Sequence, residues 1–440
     1  MNRNNFPFRP ASFPFFYGWV IVGCGVIATL ASIPGQTMGV GVFTDHLLAT
    51  WDVSRNNISL AYMIGTITSS FLLPYAGVAL DKLGTRVMMV ISAFGLSLSM
   101  IFLSHIDQWS NYAANPSILK AMLCLTLAFL LVRFWGQGCL ALVGRVAIGK
   151  WFNRKRGIAT AAAGAFTAFG FNGGGYFLNF LVEEFTWRGT CIILSLSLGL
   201  GVSFIAWFFL RDTPEGCGLH MDGAEEDPSF VEDPLHAIRK EFTRKEAAKT
   251  LSFWAFSLAL ALQGLIVTAL TFHLVDLSAE MGISRDDAFS IFWPYMPFIA
   301  LTTTFITGWL SDRIPLKYLL YTQIITLTLG ITATLWLNTP LGYAIAVFGY
   351  GASGGHFGTL VTVVWPRFYG RLHLGAISGL NMSIMVFASA IGPIFFSVIQ
   401  SYTHSYREAI AMSAILPVCL LVISVKADNP QMRYLDSQED

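Results

Sequence analysis

Apolar residues in this chain gather into long, nearly unbroken runs. They fall at 16–43, 58–80, 87–105, 119–147, 157–182, 190–210, 251–277, 288–311, 316–337, 340–366, 374–400 and 408–426. A helix that crosses the hydrocarbon core of a bilayer needs about 20 apolar residues, and each run is close to that length. The pattern predicts an all-α polytopic membrane protein with twelve transmembrane helices. The longest polar segment, 211–250, lies between the sixth and seventh runs. It divides the chain into a six-helix bundle over 1–210, a cytoplasmic linker over 211–250, and a second six-helix bundle with a short tail over 251–440. The linker opens acidic (Asp212, Glu215, Asp222, Glu225, Glu226, Asp227) and ends basic in RKEFTRKEAAK, 239–249. The basic end is expected to form a helix along anionic headgroups.

The charges test the count. Helix ends alternate sides, and Lys and Arg concentrate on the cytoplasmic side. With the N-terminus inside, only Arg55, Lys120, Arg188, Arg285 and Arg407 of the 27 basic residues fall outside. A miscounted helix would invert the bias from that point on. Both termini are therefore expected in the cytoplasm, and the protein in the cytoplasmic (inner) membrane. The run from Phe15 to Phe43 is too long for a signal h-region and lacks a small-residue cleavage site, so it reads as the first span. Composition agrees: 54% of residues are hydrophobic and 12% charged, against about 25% charged in a soluble domain. The net charge of +1 leaves no nucleic-acid footprint. Five of the six cysteines lie in apolar stretches, and no CxxC or Cys/His pairing suggests a metal or cofactor. No Walker sequence and no catalytic constellation is present, so neither ATP-driven transport nor an enzyme is expected.

The halves echo one another. GVALDKLGTR (Gly77–Arg86) follows the second run and GWLSDRIPLK (Gly308–Lys317) follows the eighth. KWFNRKRG (Lys150–Gly157) and RFYGRLHLG (Arg367–Gly375) recur after the fourth and tenth. The two bundles are therefore expected to be pseudo-symmetric, with a substrate site near the midplane. The Gly-x-x-x-Asp-basic-x-Gly-x-Arg pattern resembles the signature loop of the major facilitator superfamily. The resemblance implies a transporter whose halves rock in alternating access. Gly77, Asp81, Lys82 and Arg86, with Gly308, Asp312 and Arg313, are the expected gating residues. The glycines permit close helix contact, and a carboxylate at a helix end can cap a neighbouring helix and pair with a base.

FYGWVIV, RFWGQG, KWFNRKRGIATA, TRKEAAKTLSFW and WPRFYGRLHLGAISG further resemble the bacterial monocarboxylate-porter-like and oxalate/formate-antiporter-like branch. That resemblance implies proton-linked or exchange transport of small organic anions. The chain departs from it in the second half. Ala300 and Thr304 stand where animal monocarboxylate carriers have an Asp and an Arg, and the eleventh run lacks the lysine of the oxalate exchangers.

Only two ionisable residues lie well inside spans: Arg133 in the fourth and His356 in the tenth. Such groups are costly there, about 2.5–3.5 kcal/mol at the centre on insertion scales. No midplane Asp or Glu is available to neutralise Arg133. An anionic substrate is one partner for it; a structural clamp on backbone carbonyls and Gln137 is the other. His356 is the candidate proton carrier, with a role for Arg133 in the coupling, and plain packing is the alternative for the histidine. Pro34 and Gly35 can break the first helix near Gln36 and Thr37. Tyr62, Gln137, Asn172, Gln263, Tyr295 and Asn381 complete the expected substrate set. The function expected is proton-coupled secondary transport of a small organic anion such as a monocarboxylate. Efflux of a neutral or amphipathic compound, or a non-transporting sensor, are the alternatives. The partners expected are that small molecule, protons and the lipid bilayer, and a monomer suffices.

Overall fold

A computed structural model of the chain describes residues 6–223, 236–284 and 295–434, without the side chain of Asn172. Among the described residues the fold is helical throughout, and twelve long helices follow the order of the apolar runs. They are α1 (Gly18–Trp51), α2 (Arg55–Leu83), α3 (Thr85–Trp109), α4 (Ile118–Trp151), α5 (156–185) and α6 (187–209). After the linker come α7 (Leu251–Glu280), α8 (Met296–Ser311), α9 (Leu316–Thr334), α10 (Pro340–Tyr369), α11 (Leu374–Thr403) and α12 (Tyr406–Ser424). The start of the eighth predicted run and Arg285 lie outside the described residues. Eight helical stretches among the described residues are long and apolar enough to cross a membrane, and one of them, Arg156–Phe209, is α5 and α6 joined at Thr186. Thr186 has φ 62° and ψ 163°, so the helix is broken there without an intervening loop. In α9, hydroxyls of Thr326, Thr328, Thr332 and Thr334 donate to carbonyls one turn back, which satisfies them inside the helix.

The helices outrun their apolar cores. The first run ends at Phe43 in sequence, but α1 continues to Trp51 through Asp45 and His46. Intrahelical hydrogen bonds persist past the point where the side chains turn polar. The basic end of the linker differs from expectation. It forms one helical turn, Arg244–Ala247, started by a Thr243/Glu246 capping box, rather than a surface helix. The residues before it make tertiary hydrogen bonds instead. Gln431 accepts from the amides of Arg239 and Lys240 and donates to the carbonyls of Lys240 and Phe368.

The chain forms two compact units. The first contains Met1–Trp151, Phe166–Glu226 and Ser378–Ser383, and the second contains Phe152–Ala165, Asp227–Ile377 and Ile384–Asp440. Within the first, α1 and α4 touch through glycines. A Cβ on Gly136 would lie 2.8 Å from Gly35 Cα, and one on Gly144 would lie 2.7 Å from the Gly25 carbonyl oxygen. Within the second, Gly330 of α9 and Gly349 of α10 meet in the same way. Such approaches replace side-chain packing by backbone contact, which lipid-embedded helices favour.

Candidate substrate-binding site

The site grows from two local defects in helices. The first is in α1. Its helix stops at Ala31, passes through a 3-10 turn at Ile33–Gly35 and resumes at Thr37. Pro34 brings no amide hydrogen, and the break leaves the Gly35 carbonyl available to a partner outside the helix. The second defect is in α4, where Arg133–Leu140 is wound as a π-helix. Turns of this kind often occur at functional sites.

Arg133 connects the two. Its guanidinium is buried, 1% exposed, and donates to the Gly35 carbonyl at 3.1 Å, with a longer contact of 3.5 Å to the Thr37 hydroxyl. The ring of Tyr62 lies 5.0 Å from its central carbon. The Tyr62 hydroxyl donates to Thr37 at 3.0 Å, and Phe129 braces the Tyr62 ring edge-on. Gln36 donates to the Ser32 hydroxyl at 3.0 Å. Among the described residues, the Gln137 carbonyl oxygen and Arg133 Nε are buried without a hydrogen-bond partner. No carboxylate pairs with Arg133 among the described residues; its partners are neutral. Gln36, Tyr62, Arg133 and Gln137 thus belong to one neighbourhood of the first unit. Ser32 and the Gly35 carbonyl join them. A backbone acceptor carries no sequence signal beyond the Pro34-Gly35 break that frees it.

The other expected residues lie elsewhere. Asn172 is in α5, with its side chain outside the described residues. Asn381 is buried in the short α11 stretch that clusters with the first unit. Gln263 of α7 is buried in the second unit, its carbonyl oxygen without a partner among the described residues. Tyr295, just before α8, is 61% exposed. His356 of α10 is buried, with Nδ1 2.8 Å from the Thr307 hydroxyl of α8.

The signature loops are built from close glycine contacts. In the first unit Gly77 lies against Gly379, whose Cβ would fall 2.9 Å from Gly77 Cα. Asp81 is 3.9 Å from Lys150 at the end of α4. In the second unit Gly308 lies against Gly157, and Asp312 accepts from the amides of Gly157 and Ile158 at 2.9 and 3.2 Å. Arg367 of α10 completes this contact at 3.1 Å. Burial pushes the Asp312 carboxyl above its ordinary range, while the Gly157 amide, Arg367 and the Ile158 amide act in the opposite sense. The basic residues within the loops have other partners. Arg313 donates to the Trp309 carbonyl at 2.9 Å and stacks over its ring. Arg86 donates to the carbonyls of Trp207 and Phe6, and its amide donates to Asp212 at 3.0 Å. Lys82, in the last turn of α2, is exposed. Lys150 and Arg367 thus stand beside the two aspartates, a pairing that adjacent sequence does not disclose.

A family model described as Major Facilitator Superfamily matches residues 24–393. Monocarboxylate transporter 12 of Rattus norvegicus is 20% identical over 423 residues, which covers 89% of this chain and 82% of the relative. Among solved structures, the human organic anion transporter MFSD10 (TETRAN) superposes with a TM-score of 0.62 at 14% identity, covering 94% of this chain and 100% of that one. The E. coli fucose:proton symporter gives 0.61 at 13% identity, covering 94% and 98%. At such identities the structural likeness speaks to fold.

Proposed function

The chain belongs to the major facilitator superfamily of multi-pass membrane transporters, and we propose that its cargo is a small organic anion held through its carboxylate by Arg133. The observation that carries this reading is the unneutralised charge of Arg133, 1% exposed, with a backbone carbonyl and a hydroxyl as its acceptors. Burying a guanidinium costs several kcal/mol. One good hydrogen bond from a charged donor returns about 1.5–3 kcal/mol, and the Tyr62 ring about 0.5–2. Those contributions offset the burial only in part. A carboxylate accepting two parallel hydrogen bonds supplies the missing charge in the geometry a guanidinium prefers. Gln36, Tyr62 and Gln137 line the same neighbourhood and suit the polar remainder of such a molecule. Asn172, Gln263, Tyr295 and Asn381 stay as secondary candidates. The relative named as a monocarboxylate transporter and the neighbour named as an organic anion transporter favour the same substrate class.

Transport in this reading is secondary active and proton-coupled, with no chemical conversion of the cargo. His356 is the proton carrier, its ring held by Thr307, and Arg133 couples proton to anion. Alternating access requires the Asp312 cap on the start of α5 and the Asp81–Lys150 pair to break and reform, with Gly77 and Gly308 as the contact points. The protein acts as a monomer in the cytoplasmic membrane, both termini inside. The test is uptake of labelled lactate and pyruvate by proteoliposomes, with and without an inward proton gradient. Saturable, gradient-stimulated uptake that Arg133→Gln lowers at least tenfold supports the proposal. Uptake equal in Arg133→Gln and wild type removes the arginine from the site. Absence of carboxylate uptake, with export of a neutral compound instead, replaces the anion by the efflux reading.

A further inference from the structure

Among the described residues, Arg133 is not the sole cation within α4 that lacks an acidic partner. Every residue from Gly138 to Phe152 is buried except Arg145. Arg145 is the one residue of that stretch with partial exposure. Its hydrogen-bond partner is the thioether of Met382, 3.6 Å from Nη1. A thioether sulfur is a weak, neutral acceptor, so among the described residues the charge has no anionic partner. The acids at the same helix ends are engaged elsewhere: Asp81 with Lys150, and Asp212 with the Thr85 hydroxyl and the Arg86 amide.

The π-helical turn sets the direction of this side chain. Twelve residues separate Arg133 from Arg145. In a regular α-helix that spacing places them roughly 120° apart around the axis. A π-bulge absorbs one extra residue, which reduces the angle to roughly 20° and leaves the two about 17 Å apart along the helix. The glycine contacts on the neighbouring face support this phase. Gly136 and Gly144, eight residues apart, both meet α1, at Gly35 and Gly25. A regular helix would rotate that pair by roughly 80°, and the bulge again reduces the offset to roughly 20°. Arg145 consequently follows Arg133 on one side of α4, towards the Trp151 end.

We propose that Arg145 is a second anion site, which takes the carboxylate of the cargo after Arg133 by displacing the Met382 thioether. This assignment rests on the anion reading of Arg133 for the identity of its ligand. The exchange is favourable in chemical terms. A charged acceptor replaces a weak neutral one, and the unbranched methionine side chain can swing aside at little cost. A single guanidinium with three neutral partners at one end of the path and one at the other suits a monoanion passed between them. It does not suit a dianion that needs two cations at once.

The test uses purified full-length protein and follows thermal stabilisation by sodium acetate and sodium lactate, with sodium chloride correcting for ionic strength. Wild type, Arg133→Gln, Arg145→Gln, Arg145→Lys and the double Gln variant are compared. The expected result for wild type is a biphasic response. Each single Gln variant loses one phase, its apparent affinity there weakened on the order of 10- to 100-fold, as for the loss of one charged hydrogen bond. Arg145→Lys, which keeps the charge, recovers most of its phase. If Arg145→Gln responds as wild type while Arg133→Gln loses its response, the second site is overturned and the anion reading stands. If only Arg145→Gln matters, the Arg133 reading falls and the Arg145 site stands. If Arg145→Gln and Arg145→Lys lower the baseline melting temperature alike and neither alters the carboxylate response, Arg145 is structural. Absence of stabilisation in wild type overturns both.

Discussion

Replacing Gly157 with alanine is the sharpest test of the signature-loop geometry. The new Cβ would stand 2.0 Å from the Gly308 carbonyl oxygen, 2.2 Å from Ser311 Oγ and 2.9 Å from Asp312 Oδ1. Ser311 can rotate away. The Gly308 carbonyl is backbone of α8, so the two helices must part by about 1 Å or more to restore van der Waals distance. Overpacking of this kind costs about 1–3 kcal/mol. The separation also draws the amides of Gly157 and Ile158 off Asp312, now 2.9 and 3.2 Å away. Hydrogen bonds to a charged group are worth about 1.5–3 kcal/mol each. Alanine gains at most about 1 kcal/mol in helix propensity, so the clash wins by about 3 kcal/mol. In hydrogen exchange read by mass spectrometry, that predicts about 100-fold more frequent opening of the segment around 157–158. Gly173→Ala is the control, since its Cβ meets nothing within 4 Å. If Gly157→Ala exchanges as slowly as Gly173→Ala, the close contact and the Asp312 cap are not what holds this segment.

Three further outcomes follow from particular contacts. Gly35→Ala would place a Cβ 2.6 Å from the Val132 carbonyl oxygen and 2.7 Å from Gly136 Cα, driving the α1 break off Arg133. Carboxylate uptake in proteoliposomes should fall at least about tenfold, whereas Gly41→Ala, with open space around it, should transport normally. Gln431→Ala removes four hydrogen bonds that pin 239–240 and the end of α10. At about 0.5–1.5 kcal/mol net each, limited proteolysis within 236–250 should accelerate by tenfold or more. Finally, the Thr243 amide, Lys240 and the Thr243 hydroxyl hold the Glu246 carboxyl down at about 2, against an ordinary 4.5. Because its folded value is depressed, the capping box contributes fully above pH 4.5 and is lost as pH falls towards 2. Carboxyl carbon NMR should give a midpoint near the lower value, and a midpoint at the ordinary one would dissolve the box.

The apolar runs alone foretell the order of helices seen among the described residues, because a bilayer imposes a length and a polarity that no tertiary contact can override. The sequence also marked the break in α1, since Pro34 lacks an amide hydrogen wherever it sits, and the two repeated loops, since Gly77 and Gly308 stand at equivalent helix ends. It identified Arg133 by cost alone: a charge in an apolar run calls for an explanation. Tertiary structure decided the partners. Arg133 meets a carbonyl 98 residues away, and Asp312 caps a helix 155 residues away. Arg86 lies inside a signature loop yet holds the carbonyl of Trp207. Nothing local encodes such pairings, because they depend on which helix faces cross and at what angle. The linker departs from its sequence pattern for the same reason. Its basic end carries the charge pattern of a surface helix, but the amides of Arg239 and Lys240 donate to Gln431, almost 200 residues on, and only Arg244–Ala247 is helical. The phase of α4 was equally hidden. One π-helical turn, Arg133–Leu140, re-aims every side chain beyond it.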